Sequence, residues 1–315
     1  MGFFASLINS MPSAVAQGLI WGIMAIGVYL TYRILDVADL TVAGSLGTGG
    51  AVCVVMVLNG VPVGLALLAA TAAGMLAGLV TGLFHTACGI PAILAGILTQ
   101  LALYSVNLRI MGFGTGGGKA NLPISVDKYG LLVSARYVRN VALNNPILIL
   151  TIFCAVLIAV LYWFFGTELG CSLRATGANQ NMARAQGINT NVTKVLGLMI
   201  SNGLVALAGG LLAQYQGFSD INMGRGAIVI GLAAVIIGEV IFSRIFRNFA
   251  LKLLSAVIGA IIYYIVMVFV LRLGLSTDDL KLLTALVVAL FLTIPYWKGK
   301  YFTKTSVKKG EKNHA

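Results

Sequence analysis

The run Gly112, Phe113, Gly114, Thr115, Gly116, Gly117, Gly118, Lys119, Ala120 is the first place where residue types and spacing invite a chemistry, the cradling of phosphate by a glycine-rich loop. The pattern G-x4-G-K-[ST] needs glycine where Phe113 stands and Ser or Thr where Ala120 stands. No helix-forming segment follows, so this is a surface turn and the chain binds no ATP itself. Nucleophilic catalysis fares no better. His85 is the one histidine outside the tail residue His314, and no acid lies near it in sequence. The four cysteines, Cys53, Cys88, Cys154 and Cys171, lack CxxC spacing, which excludes a Cys/His metal site and a disulfide framework. The sequence offers no catalytic and no metal-ligating residues.

A patterned polar stretch at 166–194 is more informative. Asn179 suits a helix N-cap and Gly187 a C-terminal stop, and Ala, Gln, Met and Arg between them are adequate helix formers. The spacing predicts a two-turn helix that is marginal alone and needs a partner to pack against. Presenting Met182, Ala183 and Ala185, it fits a groove on another protein; an ordinary amphipathic interfacial loop is the plainer alternative.

The elements that hold this loop follow from composition. Hydrophobic residues make up 59% of the 315 positions and charged residues 10%, against roughly a half and a quarter in a soluble domain. No charge occurs in 1–32 or 40–108, whereas a spanning helix needs only about 20 apolar residues. The expected fold is an all-α polytopic membrane bundle of about nine spans (8–10), near 14–32, 40–58, 61–83, 90–108, 145–165, 195–214, 226–242, 253–271 and 280–297. Residues 1–297 form the membrane domain and 298–315 a basic tail. The first apolar segment lacks a basic n-region and is retained rather than cleaved. The net charge of +12 comes from Lys and Arg in loops and tail, so it reads as positive-inside topology rather than a nucleic-acid surface. Arg174, Arg184, Lys194, Arg244, Arg247, Lys252 and the tail lysines, Lys308 and Lys309 among them, put the tail and the 166–194 loop inside. The stretch 109–144, with Arg109, Lys119, Lys128, Arg136 and Arg139 against Asp127, runs counter to the rule.

The second span is rich in Gly and Ser from Asp39 to Gly50, so it is either broken or re-entrant beside a cavity, or a helix packed closely through small residues. Gln100, Tyr104, Asn107, Asn202 and Gln214 line a path or satisfy helix-to-helix hydrogen bonds. Glu239, the plausible buried acid, lies within sequence reach of Arg244 and reads as half of an ion pair. That disfavours a stand-alone secondary transporter, which would bind its coupling ion through intramembrane acids. A membrane enzyme or flippase would need an acidic, His or Ser cluster, and none is seen.

The run Leu169-Gly170, Leu173-Arg174-Ala175, Gly177, Asn179, Ala183, Gly187-Ile188 and Lys194, then Ser201, Gly203, Ala206 and Ala208-Gly209-Gly210, resembles the cytoplasmic coupling loop and following helix of ABC importer permeases of the branched-chain amino acid and ribose type. Asp39-Leu40-Thr41-Val42-Ala43-Gly44-Ser45 is similar to that family's Asp-Leu-Ser-Val-Gly segment. Glu239 stands where the family has a second glycine after Ile237-Gly238, a departure that resembles the tryptophan and tyrosine importer subgroup. The resemblance implies a permease in a bacterial-type plasma membrane, paired with a second permease as a homodimer or a heterodimer. It implies two cytoplasmic ATPase subunits that bind ATP and Mg2+, and an extracytoplasmic binding protein that delivers a small solute such as an amino acid. It assigns ATPase coupling to Arg174, Asn179, Met182, Ala183, Arg184 and Gly187, and the translocation wall to Asp39, Thr41, Gly44, Ser45, Gln100 and Asn202.

Overall fold

The computed structural model of the chain describes residues 3–114, 117–126, 128–138, 145–242, 246, 248–272, 282, 285, 286, 288–290 and 293. Asp127, Arg139, Arg244, Arg247, most of the expected ninth span and the tail with Lys308 and Lys309 lie outside these residues. Among those described the regular structure is helical apart from one short strand pairing. The helices are α1 (Phe3–Tyr29), α2 (Val42–Leu58), α3 (Val63–Thr86), α4 (Ala92–Met111), α5 (Pro146–Phe165), α6 (Glu168–Ala178), α7 (Gln180–Ala185), α8 (Thr190–Gln216), α9 (Ala227–Phe242) and α10 (Phe249–Arg272). Strands β1 (Asn121–Pro123) and β2 (Phe218–Asp220) pair antiparallel, with Leu122 opposite Ser219.

Six helices are long and apolar enough to cross a membrane: Asn9–Ile34, Val63–Thr86, Ala92–Met111, Pro146–Phe165, Thr190–Gln216 and Phe249–Leu271. Their burial differs sharply. The windows in Asn9–Ile34 and Thr190–Gln216 are 89% and 72% buried, that in Pro146–Phe165 only 22%. Thus α1 and α8 form the core of the bundle, whereas α5 turns Ile152, Val156 and Val160 outward, a face that suits lipid.

The shorter helices α2 and α9 have 17 and 16 residues, about 25 Å each at 1.5 Å per residue, less than the roughly 30 Å hydrocarbon layer. Non-helical chain precedes both. After α1, a π-helical turn (Leu30–Ile34) and Asp36 at φ 54° release residues 35–41 from helix; aspartate tolerates that left-handed conformation better than most residues. Ahead of α9, residues 221–226 form turns, and Ile221 packs with Ala51 of α2 and Met111 of α4. Of the two expectations for the second span, the helix packed closely through small residues is the one found; the non-helical chain lies ahead of it, before the glycine cluster. From Val42 onward α2 is unbroken helix, and its glycines serve close packing. A Cβ on Gly49 would overlap the Ala206 carbonyl of α8, and one on Gly209 of α8 would overlap the Leu46 carbonyl of α2. Neither backbone can yield, so the α2–α8 crossing depends on both glycines.

Candidate functional site

The 166–194 loop folds as three capped pieces. Thr167 accepts the Gly170 N–H (3.4 Å) at the start of α6, Asn179 accepts the Met182 N–H (3.1 Å) at the start of α7, and Asn189 accepts from Asn191 and Val192 (3.2 and 3.3 Å) at the start of α8. At the far end of α7 the Ile188 N–H reaches back to the Ala183 carbonyl and that of Gly187 to Arg184 (both 3.0 Å), with Gly187 at φ +82°. This is the double bond of a Schellman stop. Open space surrounds the Gly187 α-carbon, so backbone conformation alone demands glycine there.

The loop is anchored from within. Leu173 and Ala183 are each 1% exposed, Thr176 and Thr193 share a buried hydroxyl pair at 2.9 Å, and Arg184 Nε donates to Thr190 Oγ1 at 2.8 Å. Met182, 59% exposed, protrudes on the opposite side. One sequence expectation needs correction: Ala183 faces the protein's own body rather than a partner groove, because a helix of two turns needs one face packed to persist. Arg174 is also set apart. It stands on α6 with its guanidinium 5.4 Å from the Phe249 ring centre, and not on α7 with Met182.

The residues expected at the path wall do come together, as a buried hydrogen-bond network. Asn202, near the middle of α8 and fully buried, donates from Nδ2 to Asp39 Oδ2 (2.6 Å) and to the Leu198 carbonyl (3.0 Å), and its Oδ1 accepts from Ser45 Oγ (2.6 Å). Asp39 Oδ1 accepts the Thr41 N–H (2.9 Å), and the Thr41 hydroxyl pairs with that of Thr81 on α3 at 2.7 Å. Each of these side chains is at most 2% exposed. They bind the non-helical segment to α2, α3 and α8 and satisfy backbone that lipid would leave unpaired. Gly44 packs against α4 at Leu103 and Gln100, and Gln100 is half-buried. Asn107 Nδ2 reaches the Gly44 carbonyl at 3.4 Å, while its buried Oδ1 has no partner among the described residues. Gln214 accepts the Leu132 N–H (3.2 Å) and so ties the loop between α4 and α5 to α8. His85 Nδ1 sits 2.9 Å from the Ile90 carbonyl, a structural contact.

The loop meets the start of the non-helical segment, because Gly177 of α6 lies against the Ile34 carbonyl and the Leu35 backbone. Beside that contact, Arg33 Nε bonds Glu239 Oε1 at 2.9 Å. The expected partner Arg244 is outside the described residues, and the ion pair instead joins the end of the first span to α9. Sequence reading missed Arg33, Thr81, Thr190 and Phe249. Only Arg33 carried a local signal, as the first charge after a long neutral run.

Comparison with known proteins bears on this arrangement as a whole. Residues 10–294 match the family model described as the permease component of branched-chain amino acid transport systems. A tyrosine transport system permease protein of Clostridioides difficile (strain R20291) is 41% identical over 284 residues, covering 90% of this chain and 90% of the relative. The ribose import permease protein RbsC of Escherichia coli (strain K12) is 28% identical over 233 residues, covering 73% and 69%. Among solved structures, PsaBC from Streptococcus pneumoniae in complex with Fab superposes with a TM-score of 0.50 at 16% identity, over 95% of this chain and 98% of that one, a likeness of fold.

Proposed function

This chain belongs to the family of permease components of branched-chain amino acid transport systems, and from that premise we propose that it forms the translocation path of an ATP-driven importer for an amino acid of the aromatic class. It is an integral membrane transport subunit of the ABC type and not itself an enzyme. In the proposed assembly, two copies of residues 1–297 sit in a bacterial plasma membrane with the 298–315 tail in the cytoplasm. Two ATPase subunits hold ATP and Mg2+, and a binding protein delivers substrate from outside. The tyrosine transport permease of Clostridioides difficile supports the substrate class.

The observation that carries this reading is a protruding helix tied by rigid contacts to broken membrane backbone. Met182 on α7 is exposed, Ala183 and Arg184 fasten α7 to the body, and α6 rests on Ile34, where the non-helical segment begins. A preference of the ATPase pair for one orientation of α7 thereby biases residues 35–41. Asn179, Met182, Arg184 and Gly187 form the docking element. Gln100 and the backbone of 35–41 border the path, while Asp39, Thr41, Gly44, Ser45 and Asn202 hold that backbone from behind.

The test is a disulfide or bismaleimide cross-link. With the exposed Cys88 and Cys171 replaced by Ser, Met182→Cys is expected to cross-link to the ATPase, and Trp163→Cys on the exposed face of α5 is not. Cross-linking from position 163 with none from 182 would move the docking surface elsewhere.

A further inference from the structure

On the same side as α6 and α7, a group of adjoining crevices opens between α1, α6, α9 and α10. One of ≈ 220 Å³ is lined by Tyr29, Arg33, Arg174, Phe249 and Lys252, and carries no carboxylate. A second of ≈ 340 Å³ continues from Arg33 and Lys252 to Glu239, whose carboxylate Arg33 already holds. A third of ≈ 410 Å³ runs from Arg174 and Phe249 to Tyr162, Trp163 and Phe165 at the end of α5. Phe249 joins the first and third compartments, with its ring 5.0 Å from Phe165 and 5.4 Å from the Arg174 guanidinium, while Tyr29, Arg33 and Lys252 join the first and second.

We propose that these crevices hold the headgroup phosphate of an anionic phospholipid, with its acyl chains on α5. The cations supply the charge: Arg174 and Lys252 face the first crevice, and among the described residues no acid lines it, so a bound anion meets a net positive lining. Continuity with lipid favours a headgroup over a free anion. Tyr162 and Trp163 are 57% and 72% exposed at the mouth, as interfacial aromatic residues are, and the outward Ile152, Val156 and Val160 extend the apolar surface from there into the hydrocarbon layer. A soluble phosphate would leave that apolar extension unused. Gly177 and Ala178 of α6 line the same crevice, so the lipid would brace α6 against α10 beside the proposed docking loop.

Native mass spectrometry of the full chain tests this directly, with phosphatidylglycerol and phosphatidylcholine offered in equal amounts. Wild type is expected to retain phosphatidylglycerol in preference. Arg174→Gln with Lys252→Gln is expected to lose that retention by about tenfold, about 1.4 kcal/mol, while Lys119→Gln with Arg136→Gln in the loop between α4 and α5 keeps it. The charge-conserving pair Arg174→Lys with Lys252→Arg should also keep it, which separates loss of the site from misfolding. Equal retention of phosphatidylcholine, or full retention by the glutamine pair, would overturn the proposal. So would displacement of the lipid by inorganic phosphate, which would make the site one for soluble anions. Loss of ATPase association by the glutamine pair with lipid retention unchanged would mark the crevice as a protein contact and likewise refute it.

Discussion

Asn202→Leu is expected to destabilise the folded permease by about 3 kcal/mol and to reduce uptake to background. Leucine has nearly the shape of asparagine, so packing changes little and the loss isolates the polar contacts. Three hydrogen bonds disappear, and Asp39 Oδ2 and Ser45 Oγ, both buried, lose their partners. The non-helical segment then has weaker ties to α8, and backbone at membrane depth without such ties is costly. Replacing Asp39 by Leu in the same protein removes the orphaned carboxyl and is expected to restore much of the stability without restoring uptake. Thermal unfolding in detergent and uptake by intact cells are the measurements. An Asn202→Leu protein within about 0.5 kcal/mol of wild type would show that the network does not hold the segment.

Gly187→Val is expected to leave an inserted, thermally stable permease that associates weakly with its ATPase and imports nothing. At φ +82° a β-branched side chain costs about 1–2 kcal/mol in the left-handed region, and α7, six residues long, relies on that turn together with the buried Ala183 and the Arg184–Thr190 bond to keep its direction. A β-carbon on Gly187 would enter open space, so the strain is conformational and not a clash. Asparagine visits this conformation more readily, and Gly187→Asn should therefore retain most of the coupling. Normal ATPase binding and import by the valine variant would mean that α7 is not the docking element.

Much of this was legible in the sequence because it depends on local chemistry. Apolar run length located the spans that lie within the described residues, and Asn179 and Gly187 marked the ends of α7 because a cap is a bond between near neighbours. The start of α2 was less legible: Leu40, Thr41 and Val42 give no break in the apolar pattern, and besides the local Thr41 N–H bond to Asp39 the distant Asn202 and Thr81 hold the non-helical backbone up to Thr41. The Asp39–Asn202 and Arg33–Glu239 pairs span 163 and 206 positions, beyond any spacing rule. Sequence proximity instead nominated Arg244 for Glu239. The inward turn of Ala183 was hidden for a related reason, since alanine suits either face of a short helix and only packing against α6 and α8 selects one.

The central claim is that ATP hydrolysis in a partner drives transport through this chain. The most direct measurement is uptake of labelled tyrosine by cells expressing the complete system, with ATP depleted by arsenate in one arm and the transmembrane ion gradients collapsed by ionophores, at sustained ATP, in the other. Uptake that stops with ATP depletion and persists through gradient collapse is the predicted result. Uptake that stops when the gradients collapse, with ATP unchanged, would identify a secondary transporter and contradict the account.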